Sequence, residues 1–124
     1  MNSFIRWAGS KRQLLSKLRE FWPGGDARYI EPFCGSACLF FELEPEHAIL
    51  GDLNEELITA YQALRVDALL VIEALRRIPL GKSAYYEIRG LDTKCLNNFE
   101  RAARFLYLNH IKNLSERHTT TSLP

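Results

Sequence analysis

The stretch Tyr29–Phe41, "YIEPFCGSACLFF", constrains this chain more than any other. It begins as a buried strand and ends as an apolar helix, with a tight turn between. Pro32 is tolerable at a strand's end and not in its middle, so the strand stops there. Gly35 has no side chain and lets the backbone come close to a ligand. A second short strand, "AILGDL" at 48–53, follows the helix. Strand, helix and strand with glycine in the first turn form the βαβ unit of a doubly wound sheet. In such sheets ligands bind outside the carboxyl ends of the strands, where Glu31 and Asp52 fall.

An acid about 20 residues after the first turn, at the end of the second strand, is placed to accept hydrogen bonds from ribose hydroxyls. Spacing alone also admits a plain connection at Gly35 and a helix cap around Asn54. The phosphate-binding pattern G-x-G-x-x-G is absent, which argues against a dinucleotide-dependent oxidoreductase. A carboxylate beside the turn repels pyrophosphate and suits a cationic, phosphate-free nucleoside. S-adenosylmethionine fits that description.

The remaining segments read as helices. "KRQLLSKLREFW" carries Leu14, Leu15, Leu18, Phe21 and Trp22 at helical spacing, with Ser10 as its expected cap and Pro23–Gly25 as its stop. Asn54 is placed to cap a helix whose apolar face is Leu57, Ile58, Tyr61 and Leu64. "DALLVIEALRRI" is a further helix, with Arg76 and Arg77 at its C-terminal dipole. "SAYYEIRGL" is a short helix or turn. "NNFERAARFLYLNHIKN" is a long helix with Phe99, Ala102, Ala103 and Leu106 in register, and the segment after it shows no periodicity. Two strands are too little sheet for an ordinary α/β domain.

At 124 residues, one domain is the default. Charge is unevenly spread: residues 29–60 hold seven acids and no lysine or arginine, between basic flanks. That pattern suits an acid-lined site bordered by phosphate-contacting arms, and equally suits ordinary solvated helix faces. Cys34, Cys38 and Cys95 are an odd set without a following Cys/His pair at ligand spacing, so neither a disulfide framework nor a metal site is expected. No apolar run reads as a signal peptide or a bilayer span, and a cytoplasmic location is expected.

Four ordered segments, "FIRWAGSKRQLL", "YIEPFCGSACLFF", "AILGDLNEELITAYQAL" and "ERAARFLYLN", carry a resemblance across residues 4 to about 109. The chain resembles the Dam-like DNA adenine-N6 methyltransferase family, which includes phage and restriction–modification enzymes. The resemblance implies a partial Rossmann-like methyltransferase fold of the α/β class: a cofactor-binding part at 1–60, a helical segment at 61–109 that begins the target-recognition region, and an irregular tail at 110–124. It implies methyl transfer from S-adenosylmethionine to adenine in double-stranded DNA. Trp7 and Lys11 would contact the cofactor as an aromatic wall and a partner for its carboxylate. Phe33 and Gly35 would line its pocket, Asp52 would take the ribose, and Arg6 would be a basic DNA contact.

Two departures stand out. The second glycine of the family's Gly-x-Gly is Ala37 here, expected to weaken the site modestly provided its backbone stays at negative φ. The Asp-Pro-Pro-Tyr motif, which in the family holds a flipped adenine, does not occur in the sequence, so no catalytic residue is assigned. The chain therefore looks like the N-terminal part of a methyltransferase, inactive alone, with a missing C-terminal half as a further partner. The alternative is an inactive remnant that binds cofactor or DNA weakly, or nothing at all.

Overall fold

In the computed structural model the backbone is described for residues 1–119 and side chains through Ile111. The fold is mixed α/β and mostly helical, with one small parallel sheet. It divides into two compact units, Met1–Leu53 and Asn54–Pro124. The helix that begins after Asn54 thus groups wholly with the second unit, ahead of the boundary expected at 60.

In the first unit, a 3-10 turn at Lys11–Leu14 leads into α1 (Leu15–Glu20). Ser10 precedes that turn but its hydroxyl makes no cap. It faces the Ser36 hydroxyl at 3.2 Å instead. Leu15, Leu18 and Trp22 are partly buried, whereas Leu14 and Phe21 are exposed, so the apolar stripe of this helix is narrower than its spacing suggests. β1 (Tyr29–Glu31) and β2 (Ala48–Leu50) pair in parallel with Tyr29 opposite Ala48, Ile30 opposite Ile49 and Glu31 opposite Leu50. Gly51 donates its N–H to the Glu31 carbonyl at 2.8 Å, and Cys34 donates to the Gly51 carbonyl at 2.8 Å. These bonds carry the pairing past β2 and set the two strand ends side by side.

Side chains alternate across a strand. Tyr29 and Glu31 point inward, and Ile30 points out. Tyr29 packs edge-on against Trp22, ring centroids 5.6 Å apart, and near Phe40 of α2 (Cys38–Leu43). Ile5, Cys34, Ala37 and Cys38 are buried as well.

The second unit is helical. α3 (Glu55–Arg76) starts at Asn54, whose side chain accepts the Leu57 N–H at 3.0 Å, satisfying one of the free donors of the first turn. The run is broken at Asp67, which has extended backbone angles and accepts the N–H groups of Leu69 and Leu70 on Oδ1. Asp67 thus caps the second half, so the two helices expected from sequence meet there end to end. α4 (Lys82–Arg89) comes next, then a 3-10 turn at Thr93–Cys95 and α5 (Asn98–Thr119). Ala60, Ala63, Val71 and Ala102 form the core between α3 and α5, with Leu64, Phe99, Phe105 and Leu106 against it. Small residues at this crossing let the helix backbones approach closely. Arg101 on α5 pairs with Glu56 and, at 3.8 Å, Glu55 on α3. α5 stays helical to Thr119, where an irregular segment was expected from 110; residues 120–124 lie outside the described residues. No helix among the described residues is long and apolar enough to cross a membrane.

Candidate cofactor site

The βαβ turn and the N-terminal segment build one cavity of about 250 Å³. Its lining includes Trp7, Lys11, Glu31, Phe33, Gly35 and Asp52. All five residues expected to hold a cofactor therefore converge on one place. Arg6, the expected DNA contact, is exposed and is not part of that lining.

Gly35 has φ +47° in the left-handed region, and a Cβ there would lie 2.7 Å from Trp7 Cδ1. The turn is glycine for two reasons at once: its backbone angle and the indole lying against it. The N-terminal segment is fastened to the same turn by the Ser3 hydroxyl, which donates to the Ser36 carbonyl. Asp52, beyond β2, accepts the Gly35 N–H on Oδ2 at 3.0 Å. A single carboxylate thus ties the glycine turn to the second strand.

Glu31 is the residue whose importance the sequence understates. It is buried at the end of β1, and both its oxygens are held. Oε2 accepts the Tyr29 hydroxyl at 2.6 Å, and Oε1 pairs with Lys11 Nζ at 3.2 Å. Tyr29 and Glu31 are two apart on one strand and so share a face, a signal readable from "YIE". Burial raises the Tyr29 phenol above its ordinary pKa, and the bond to Glu31 raises it further, so it stays a neutral donor. Burial also pushes the Cys34 thiol up to about 11, with the charges of Asp52 and Glu31 adding to the effect. Cys34 is therefore a neutral packing group at ordinary pH and not a nucleophile. Among the described residues no group of three His, Cys, Asp or Glu side chains could hold a metal.

Ala37 departs from expectation. Its φ is 51° and ψ 34°, so the proviso of negative φ fails. An alanine in that region costs about 1–2 kcal/mol that a glycine would avoid. The turn tolerates it, with the methyl fully buried.

The match to the sequence profile of the D12 class N6 adenine-specific DNA methyltransferases spans residues 7–120. The chain belongs to that family. Among its relatives, the type II methyltransferase M1.LlaDCHI of Lactococcus lactis subsp. cremoris is 34% identical over 114 residues, covering 87% of this chain and 40% of the relative. The DNA adenine methylase of Salmonella typhi is 32% identical over 111 residues, covering 86% and 40%. The type II methyltransferase M.MjaIII of Methanocaldococcus jannaschii is 32% identical over 127 residues, covering 86% and 44%. The chain thus spans about two fifths of the length of these relatives. The family's stretch reaches from the cavity through both units of this chain.

The residues fit S-adenosylmethionine by their chemistry. Two carboxylates at the strand ends suit a sulfonium, an ammonium and a ribose diol. An indole and an exposed Phe33 offer aromatic faces.

Proposed function

We propose that this chain forms the S-adenosylmethionine-binding part of a DNA adenine-N6 methyltransferase with the first βαβ unit of a Rossmann-like methyltransferase fold. The observation that carries the reading is the convergence of Trp7, Lys11, Glu31, Phe33, Gly35 and Asp52 on one cavity at the strand ends. The cofactor would supply an electrophilic methyl group on its sulfonium, for the exocyclic amine of adenine in double-stranded DNA. The chain's own residues bind and orient. Asp52 accepts from the ribose hydroxyls, Trp7 and Phe33 flank the adenosine, and Lys11 meets the methionine carboxylate. Arg6, outside the cavity, is offered to DNA phosphate. Without an Asp-Pro-Pro-Tyr motif in its sequence, this chain binds cofactor and does not hold the target base.

Titration calorimetry with S-adenosylmethionine tests the reading, with Asp52→Ala as control. Binding by the unaltered chain and its loss in the variant are expected; no binding by either leaves the second reading, an inactive remnant. A parallel assay with labelled cofactor and unmethylated DNA should show no methyl incorporation by this chain alone.

A further inference from the structure

The cavity is unbalanced in charge. Of its lining residues, Glu31 and Asp52 are acids and Lys11 is the one base. Glu31 is the more costly of the two acids because it is buried, and a buried carboxylate needs a partner at all times. Its two partners differ in kind. Tyr29 is itself buried, sits two residues away on the same strand, and holds Oε2 at 2.6 Å. That contact is built into the sheet. Lys11 reaches Oε1 from a 3-10 turn, with its side chain 43% exposed on a flexible stem. Its ammonium can leave for water at little cost, whereas Glu31 cannot.

We propose that Lys11 is an exchangeable counter-ion, holding at Glu31 Oε1 the place that a ligand's cationic group takes on binding. This rests on the cofactor reading above and deepens it. Tyr29 keeps the carboxylate aimed while the cation changes. Lys11, once displaced, is freed toward the ligand's carboxylate. The buried acid is never left alone, and the entering cation offsets its own desolvation at a site already ordered. An uncharged nucleoside cannot make this exchange and is rejected, because it would leave the Lys11–Glu31 pair in its way.

The exchange makes Lys11 a competitor of the ligand's cation and a partner of its carboxylate, and the two roles separate with a suitable probe. Decarboxylated S-adenosylmethionine keeps the cationic groups and lacks the carboxylate. Calorimetry at about pH 8, where a carboxylate is ionised, should show it binding the Lys11→Met variant roughly two- to five-fold tighter than the unaltered chain, the scale of one partly exposed ion pair. S-adenosylmethionine itself should not gain, since it also loses a partner. Unchanged or weaker binding of the decarboxylated probe to the variant overturns the exchange while leaving the cofactor site intact. Failure of the unaltered chain to bind either compound removes the cofactor reading, and the exchange with it. A second measurement needs no variant: acylation of lysines followed by mass spectrometry, with exposed Lys17 as reference. The decarboxylated probe should raise the reactivity of Lys11 relative to Lys17, and an unchanged ratio under saturating probe overturns the proposal.

Discussion

Gly35→Ala is the sharpest test of how the turn is built. Two costs are expected. The residue has φ +47°, where a side chain costs about 1–2 kcal/mol. The new Cβ would also fall 2.7 Å from Trp7 Cδ1 and 3.1 Å from Nε1, forcing the indole off the turn, an overpacking cost of about 1–3 kcal/mol. Together they predict destabilisation of roughly 2–5 kcal/mol. Only the second cost depends on Trp7. In a Trp7→Ala background Gly35→Ala should therefore cost no more than about 1–2 kcal/mol. Urea unfolding monitored by Trp22 fluorescence reads this, because Trp22 lies in the first unit against Tyr29 and is present in all four proteins of the cycle. A coupling of about 1 kcal/mol or more is expected, well above the roughly 0.3–0.5 kcal/mol by which independent sites depart from additivity. Equal costs in both backgrounds would refute the Trp7 contact as the reason for the glycine.

Three further outcomes are expected. Asn54→Ala removes the cap of α3 and should cost about 1 kcal/mol by denaturant unfolding monitored by circular dichroism at the helical band. Leu57→Ala empties a fully buried position and should cost about 2–5 kcal/mol in the same measurement. The Cys34 thiol, raised from 9.0 to about 11 in the folded chain, ionises first in the unfolded chain. Its contribution to stability is therefore intact below about 9 and is lost as pH rises toward about 11. Cys34→Ala should flatten that part of the pH profile, and thiol reagents at neutral pH should label exposed Cys95 well ahead of Cys34.

The features legible in the sequence were local. The strand in "YIEPF", the glycine turn, the Asn54 cap and the Phe99, Ala102, Ala103 and Leu106 face of α5 all depend on neighbours in sequence, and the structure bears them out. The pair of helices either side of Asp67 was legible for the same reason, since an aspartate readily caps a helix that begins just after it. The contacts that define the cavity were not legible. Lys11 and Glu31 are 20 residues apart, and Trp7 meets Gly35 only because the N-terminal segment folds back onto the turn. Ser10 reads as a cap, but Ser36 is a nearer partner for its hydroxyl. The left-handed angle of Ala37 has no local signal in alanine, whose preference is against it. The helical course past Asn113 is not legible because periodicity fades there, although an established helix extends with little further cost.

The outward face of the sheet carries Ile30 and Ile49 as directly opposed partners, 61% and 55% exposed. Two short strands with an apolar outer face are marginal by themselves in water. Their open edges can also template pairing with any extended chain. Expressed alone, this polypeptide should be difficult to keep in solution at high concentration, and its behaviour on a sizing column should worsen with salt. Charged replacements at positions 30 and 49 should make it easier to handle without touching the cavity, whose lining includes neither residue.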